Sequence, residues 1–98
     1  MDEAPELAEV WKRDLTQVEL HALVDDLEQH AEVLDVLTKG GAKAHADPTP
    51  VSLRDAVLRL VRGEVRGVQV RYLFEGSEWR DTLLSTPTGV QDVRMKMP

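Results

Sequence analysis

Two short turns near the carboxyl end constrain the fold of this chain more than any other feature. Residues 75–78, EGSE, fit a two-residue hairpin turn with glycine in the first central position. Residues 86–89, TPTG, fit a type I turn closed by a left-handed glycine. Each turn sets a strand register separately, and both registers place apolar side chains on the same face. The sequence therefore predicts a three-stranded antiparallel meander.

The register read from these turns divides the meander into two faces. It sets Phe74 beside Trp79 and Leu83 beside Val93. The core face is expected to carry Val68, Val70, Tyr72, Phe74, Trp79, Leu83, Val93, Met95 and Met97. The opposite face is expected to present a basic surface that consists of Arg71, Arg80, Arg94 and Lys96.

One carboxylate, Asp81, falls among the apolar residues of the predicted core face. A buried carboxylate without a partner costs too much free energy to persist, so its charge must be compensated. Four explanations stay open: Asp81 lies at the rim of the sheet, a bulge turns it outward, it bonds to Tyr72 or a backbone amide, or it pairs with His30. For His30, a surface contact with Asp26, four residues earlier, is the alternative.

Two helices are predicted ahead of the strands. Thr16 and Glu19 have the spacing of a capping box, and glycines 40–41 supply a stop. Between these limits an apolar stripe at helical spacing contains Leu20, Leu23, Val24, Leu27, Ala31 and Leu34. A shorter helix begins after Ser52, and its apolar face contains Leu53, Ala56, Val57, Leu60 and Val61.

The order of these elements predicts the fold class. A long and a short helix should pack on one face of the three-stranded meander, in the order α-α-β-β-β, as a single α+β domain over residues 16–98. Residues 1–15 are expected to be an acidic N-terminal segment, either frayed with one docked aromatic side chain or folded as a short helix. Residues 39–50, rich in glycine, proline and small residues, should be a loop.

The long helix is apolar on two sides, which indicates either a second packing layer or a partner. Val18, Val33 and Val36 lie nearly opposite the main stripe. Two leucines also interrupt the polar face of the meander, and a tryptophan stands in the N-terminal segment. The predicted partner interface is therefore Trp11, Val18, Val33, Val36, Leu73 and Leu84.

The net charge of −6 is unevenly distributed along the chain. Residues 1–50 carry twelve acidic and four basic side chains, whereas residues 51–98 carry six acidic and eight basic ones. An acidic half repels phosphate backbones, so nucleic acid is not expected as a partner. The same charge attracts a basic protein surface and speeds association.

Several classes of site and location are not expected. The chain has no cysteine, which excludes disulfides and thiolate metal sites. It has neither a stretch of membrane-spanning length nor a secretory signal in residues 1–13, so a cytoplasmic protein without membrane contact is expected. His21, Asp25 and Glu28 have a spacing compatible with part of a metal site, but a solvated helix face accounts for them better. No cofactor, metal or catalytic residue is predicted.

The functional prediction is a non-catalytic protein-interaction module, an accessory, assembly or regulatory subunit of a larger protein. A small sheet with two helices leaves little room for an active-site pocket, so enzyme activity is not expected. Homodimerisation is one form of this function. The alternative is a nucleic-acid or regulatory binder that uses the basic sheet face, and a small metal- or ligand-binding protein comes third.

Overall fold

The computed structural model describes residues 9–40 and 52–98. These residues form two layers, one with five strands and one with two helices. The elements are β1 (Val10–Leu15), α1 (Gln17–His30), β2 (Glu32–Lys39), α2 (Leu53–Val61), β3 (Gly67–Phe74), β4 (Ser77–Thr86) and β5 (Gly89–Lys96). The strands form one antiparallel sheet in the order β1-β5-β4-β3-β2. Among the described residues, no helix combines the length and apolar character needed to span a membrane.

The predicted three-stranded meander in an α-α-β-β-β chain is wrong. Strands β3, β4 and β5 do form a meander, but β2 and β1 extend it on either side into a five-stranded sheet. The order of elements is β-α-β-α-β-β-β. Two segments that the sequence analysis assigned to a helix or to a terminal segment supply the additional strands.

Strand β2 replaces the second half of the predicted long helix. Helix α1 ends at His30, and Ala31 already has extended backbone angles. Residues 32–39 contain the β-branched residues Val33, Val36 and Thr38, which favour a strand that packs against neighbours. Val33 and Val36 pack against the core from this strand, so they do not form a second apolar side of a helix.

Strand β1 lies within the predicted N-terminal segment, where the sequence analysis expected a frayed end or a short helix. It pairs with β5 from Val10 opposite Met95 to Leu15 opposite Val90. Leu15 is buried in the core, whereas the other residues of β1 are exposed. Residues 1–8 of the predicted segment and residues 41–50 of the predicted loop lie outside the described part of the chain.

The predicted starts of both helices are confirmed. The Thr16 hydroxyl accepts a hydrogen bond from the Glu19 backbone N–H at 3.1 Å, and the Glu19 carboxylate accepts one from the Thr16 N–H at 2.8 Å. This backbone hydrogen bond lowers the pKa of Glu19. The Ser52 hydroxyl caps α2 by accepting a hydrogen bond from the Asp55 backbone N–H at 3.0 Å.

The first hairpin has a register two residues away from the predicted one. Glu75 and Gly76 both have positive φ, 51° and 82°, and form the central residues of the turn. Tyr72 therefore lies opposite Trp79. A shift of two residues keeps every side chain on its predicted face.

The second hairpin differs from its predicted register by one residue, which has a larger consequence. Only residues 87 and 88 separate the paired residues Thr86 and Gly89, so Leu83 lies opposite Asp92 rather than Val93. A shift of one residue exchanges the two faces of a strand. In β5, therefore, Asp92 and its alternate neighbours face the helices, and Val93 faces away from them.

The core lies between the two helices and one face of the sheet, called here the covered face. Helix α1 contacts chiefly β1, β2 and β5, and α2 contacts β2 and β3. The buried apolar residues are Leu15, Leu20, Leu23, Val24, Leu27, Leu53, Ala56, Val57, Leu60, Val65, Val68, Val70, Tyr72 and Leu83. The opposite face of the sheet is called here the open face.

Candidate binding cleft between β1, β4 and β5

The helices leave part of the covered face open near β1 and β5, and a cleft forms there. Its volume is about 450 Å³, and its lining consists of Trp11, Lys12, Arg13, Trp79, Asp92 and Arg94. The chain has two tryptophans, and both line this cleft, although Trp79 also packs against the core. We call it the tryptophan cleft.

The two indole rings form one wall of the tryptophan cleft. Trp11 comes from β1 and Trp79 from β4, and the rings meet across β5 with their centroids 5.7 Å apart and a tilt of 36°. Trp11 is 48% exposed, and the Lys96 ammonium lies 5.7 Å from the Trp79 ring centroid. The Trp79 Nε1–H is buried and has no acceptor among the described residues. The wall therefore offers aromatic surface.

Asp81, the acid in the predicted core face, is fully buried at the base of this region. Two side chains compensate its negative charge. Its Oδ1 accepts a hydrogen bond from the Tyr72 hydroxyl at 2.8 Å. Arg94 donates to both carboxylate oxygens, from Nε to Oδ1 at 3.0 Å and from Nη2 to Oδ2 at 3.1 Å. Of the four explanations for Asp81, the hydrogen bond to Tyr72 is therefore the one that the structure contains. The sequence did not predict the ion pair with Arg94.

The predicted pair of Asp81 with His30 does not form. The His30 side chain is 62% exposed and lies 3.9 Å from Asp26, four residues earlier on α1. Strand β2 begins two residues after His30, so the helix ends before it can bring this side chain over the sheet. Arg94 takes the expected place of the histidine because the register of β5 points it toward Asp81.

The buried carboxylate also changes the acidity of its bonded neighbours. Burial, and next the charge of Asp81, raise the pKa of the Tyr72 hydroxyl far above its ordinary value. Burial alone would lower the pKa of Arg94, but its hydrogen bond to Asp81 and the charge of Asp81 outweigh that and raise it. Tyr72 therefore stays neutral and Arg94 charged, which makes this trio a fixed support for the cleft.

Asp92 is a second buried acid beside the first, and only 1% of it is exposed. Arg13 Nε lies 3.4 Å from its Oδ2, whereas Oδ1 has no donor within the described residues. Burial, followed by the charge of Asp81 and a hydrogen bond to it, raises the pKa of Asp92 to about 7. Near neutral pH Asp92 is therefore partly protonated.

The cleft is cationic although the chain as a whole carries a net charge of −6. Lys12, Arg13 and Arg94 line it, and Lys96 stands at its aromatic wall. The raised pKa of Asp92 reduces the negative charge beside these cations near neutral pH. The Arg13 side chain is 55% exposed and makes one long contact, so much of its hydrogen-bonding capacity is free within the described residues.

The residues of the predicted partner interface do not form one surface. Trp11 lies in the tryptophan cleft, and Val18 is 78% exposed on α1. Leu73 and Leu84 are 36% and 38% exposed on the open face. As described above, the two valines of β2 pack against the core. Trp11 is the member of this set that lies beside other candidate binding groups.

The predicted basic surface is divided between the two faces of the sheet. Arg71 and Arg80 lie opposite each other on the open face, and Arg94 pairs with Asp81 on the covered face. Arg71 donates to Glu78 at 2.8 Å, which neutralises much of its charge. The one-residue change in register explains the division, because it moved the basic residues of β5 to the other face.

The acidic side chains of the candidate metal pattern on α1 bind an arginine instead. Arg54 Nη2 donates to Asp25 at 2.7 Å and to Glu28 at 2.6 Å. These hydrogen bonds raise the pKa of Arg54. The carboxylates therefore connect α1 to α2.

Sequence reasoning missed Arg13 and Asp92 as site residues and gave Arg94 a different place. One signal could have found the residues of β5: a two-residue turn at positions 87 and 88 puts Asp92 and Arg94 on the same face as Asp81. No comparable signal marks Arg13, because its place depends on β1 pairing with a strand far along the chain. Comparison with known protein families, curated proteins and solved structures finds no match for this chain.

Proposed function

We propose that the protein is a non-catalytic protein-interaction module that holds a segment of a partner protein in the tryptophan cleft, as an accessory, assembly or regulatory subunit. The observation that carries this proposal is the position of Trp11 and Trp79, which line one open cleft beside Arg13 and Arg94. Tryptophan and arginine contribute more than most residue types to the affinity of protein interfaces. A cytoplasmic location belongs to the same proposal.

Strand β1 gives the partner segment a place to bind. It is an edge of the sheet, and all its residues except Leu15 are exposed. An extended segment can pair with such an edge through backbone hydrogen bonds, while its side chains enter adjacent pockets. A segment paired with β1 would run past Trp11 and Arg13, which face the cleft.

The charge and polarity of the cleft favour an acidic segment with an apolar or aromatic side chain. The cationic groups attract acidic side chains, and the indole rings offer a surface for an apolar one. Because Asp81 and Arg94 are bonded to each other, the polar groups support binding better than acid–base chemistry.

The alternatives differ in their support. A cavity of about 450 Å³ also falls within the range of small-molecule sites, so a small ligand is the second candidate. The nucleic-acid alternative depended on one basic sheet face, and that face is divided. A homodimer is a special case in which the partner segment belongs to a second copy.

The experiment uses both tryptophans as reporters. A partner is captured from an extract of the native cells, identified by mass and purified, and its binding is followed by indole fluorescence. Trp11→Ala should weaken binding by about 2 kcal/mol or more if the indole is a central contact. Leu37→Ala is the matched control, because Leu37 is similarly exposed at 47% but lies on β2 at the far edge of the sheet.

Two outcomes would contradict the proposal. In the first, Trp11→Ala and Leu37→Ala bind the purified partner as tightly as the unaltered protein. In the second, Leu37→Ala weakens binding and Trp11→Ala does not, which would assign the interface to the open face. Because Trp79 remains in Trp11→Ala, fluorescence still reports binding in that variant.

A further inference from the structure

We infer that the tryptophan cleft recognises a carboxylate, which binds the Arg13 guanidinium in place of Asp92. This inference rests on the proposed function, because it names the chemical group of the partner that the cleft holds. It concerns one exchange: Arg13 leaves a buried acid of its own chain and binds an acid of the ligand.

Arg13 is the cation beside Asp92 that is free to make this exchange. Lys12, the next residue on β1, pairs with Val93, whose side chain faces away from the helices. The Arg94 fork is occupied by Asp81, with contacts of 3.0 to 3.2 Å, and the Lys96 ammonium stands over the Trp79 ring. Within the described residues Arg13, by contrast, makes a single polar side-chain contact, of 3.4 Å, to Asp92. A guanidinium binds a carboxylate best through two parallel N–H···O bonds, which a ligand can supply from the open side of the cleft.

Asp92 can lose its contact with Arg13 because protonation is a second way to remove the charge of its buried carboxylate. Its carboxyl lines the cleft and is almost completely buried, and one of its oxygens has no donor in the part of the chain that the structure describes. Burial, and next the charge of Asp81, favour the neutral form of Asp92 and raise its pKa. A neutral Asp92 therefore needs no cation, and Arg13 becomes available to the ligand.

The groups around Asp92 come from four strands and a helix. Asp81 of β4 raises its pKa, whereas Arg94 of β5 and Arg13 of β1 lower it. Tyr72 of β3 donates to Asp81 and is neutral. The buried face of α1 is apolar and adds no charge: Leu20, Leu23, Val24 and Leu27.

Carboxylate binding should therefore be linked to proton uptake. A ligand carboxylate on Arg13 brings a negative charge close to Asp92 and removes its cation, and both changes favour neutral Asp92. Affinity should fall as pH rises through about 7, the pKa of Asp92. If the ligand binds only the form with neutral Asp92, the dissociation constant rises about tenfold between about pH 6 and about pH 8.

Benzoate and benzamide form a matched pair of probes for the experiment. Both have a ring for the indole wall and nearly the same shape, but only benzoate is charged. Binding is measured with the full chain by NMR, from the indole Nε1–H signals of Trp11 and Trp79 and the Arg13 Nε–H signal. Benzoate should shift these signals with an affinity about tenfold lower at about pH 8 than at about pH 6. Benzamide should bind more weakly, and without pH dependence.

Three variants identify the residues involved. Arg13→Gln should lose benzoate binding, while Arg62→Gln, which removes the same charge from an exposed residue on the end of α2, should retain it. Asp92→Asn should bind benzoate at about pH 8 as tightly as at about pH 6, because its amide is neutral at both. Arg13 is exposed enough for its substitution to leave folding intact, so the test does not depend on Asp92→Asn.

The inference is overturned if benzamide binds as well as benzoate, if Arg13→Gln binds benzoate normally, or if the unaltered protein shows no pH dependence. Tighter binding of phenyl phosphate than of benzoate would also overturn it, because the cleft would then prefer phosphate. A partner protein that still requires Trp11 in any of these cases leaves the proposed function intact. The two conclusions therefore fail separately.

Discussion

The covered face of the sheet has two halves with opposite chemistry, an apolar half on β3 and a polar half on β5. Val68 and Val70 of β3 are completely buried beneath the helices. On β5 the same face carries Asp92 and Arg94, which join Asp81 in a buried ionic network. Apolar packing usually stabilises a fold more than a buried ionic network of similar volume. The apolar half therefore holds the fold together, whereas the polar half fixes the geometry of the tryptophan cleft.

The largest expected effect belongs to the apolar packing beneath the helices, which also includes Leu83 of β4. Leu83 is 1% exposed and packs in the core, so Leu83→Ala should lower the free energy of unfolding by roughly 3 kcal/mol through lost burial and a cavity. The neighbouring Leu84 lies on the open face and is 38% exposed. Leu84→Ala should cost less than about 1 kcal/mol. Urea unfolding measures both, and equal costs would mean that the faces of β4 are assigned incorrectly.

The network of the polar half should be costly to break but less costly than the core. Asp81→Ala leaves Arg94 and Tyr72 without their shared acceptor. Because the Arg94 side chain is 32% exposed and can reach water, the expected loss is about 2 kcal/mol in urea unfolding, below the usual cost of breaking a buried pair. Asp81→Asn should lose less, since its amide oxygen still accepts from Tyr72. Equal stability of Asp81→Ala and the unaltered protein would contradict the network.

A pH dependence of stability should distinguish the two halves. The pKa of Asp92 is about 7 in the folded chain, above the value of about 4 for an unfolded aspartate. Between these values the folded chain binds more protons, so its free energy of unfolding should fall as pH rises from about 4 to about 7 and change little above that. Asp92→Asn should reduce this slope, and Asp26→Asn, a 70% exposed control, should preserve it. Identical slopes in both variants would show that Asp92 is not the group responsible.

The smallest expected effect on stability is that of Trp11→Ala. The ring is 48% exposed and contacts Trp79 at 5.7 Å, and such an aromatic pair contributes about 1 kcal/mol. Thermal unfolding should therefore change little, although binding of a partner changes strongly. A loss of stability as large as that of Leu83→Ala would make Trp11 a core residue and weaken the comparison between the halves.

The helix starts and the burial of the strand β3 could be predicted because they depend on local signals. Thr16 and Glu19 form their capping box within four residues, and alternating valines mark β3. Strand β2 could not be separated from α1 in this way, because Val33 and Val36 also fit the period of a helix. Its identity depends on pairing with β3, which lies about thirty residues away.

The sequence did not predict the tryptophan cleft, because the predicted turn before β5 differs from the observed turn by one residue. With the turn at positions 87 and 88, Asp92 and Arg94 join Asp81. One residue more or less places Val93 and Met95 there, which gives a plausible apolar core. The wrong register came from reading residues 86–89 as a type I turn closed by glycine, and the apolar face that it produced gave no sign of the error.

The most direct test of the binding role of the polar half is an NMR map of the purified partner on the full chain. We expect the largest shifts at the indole Nε1–H signals of Trp11 and Trp79 and at the Arg13 Nε–H signal. The backbone amides of Leu37 and Leu73, whose side chains are exposed on the other side of the sheet or at its far edge, should shift little. Large shifts at these two leucines with an unchanged tryptophan cleft would contradict the assignment and make the open face the binding surface.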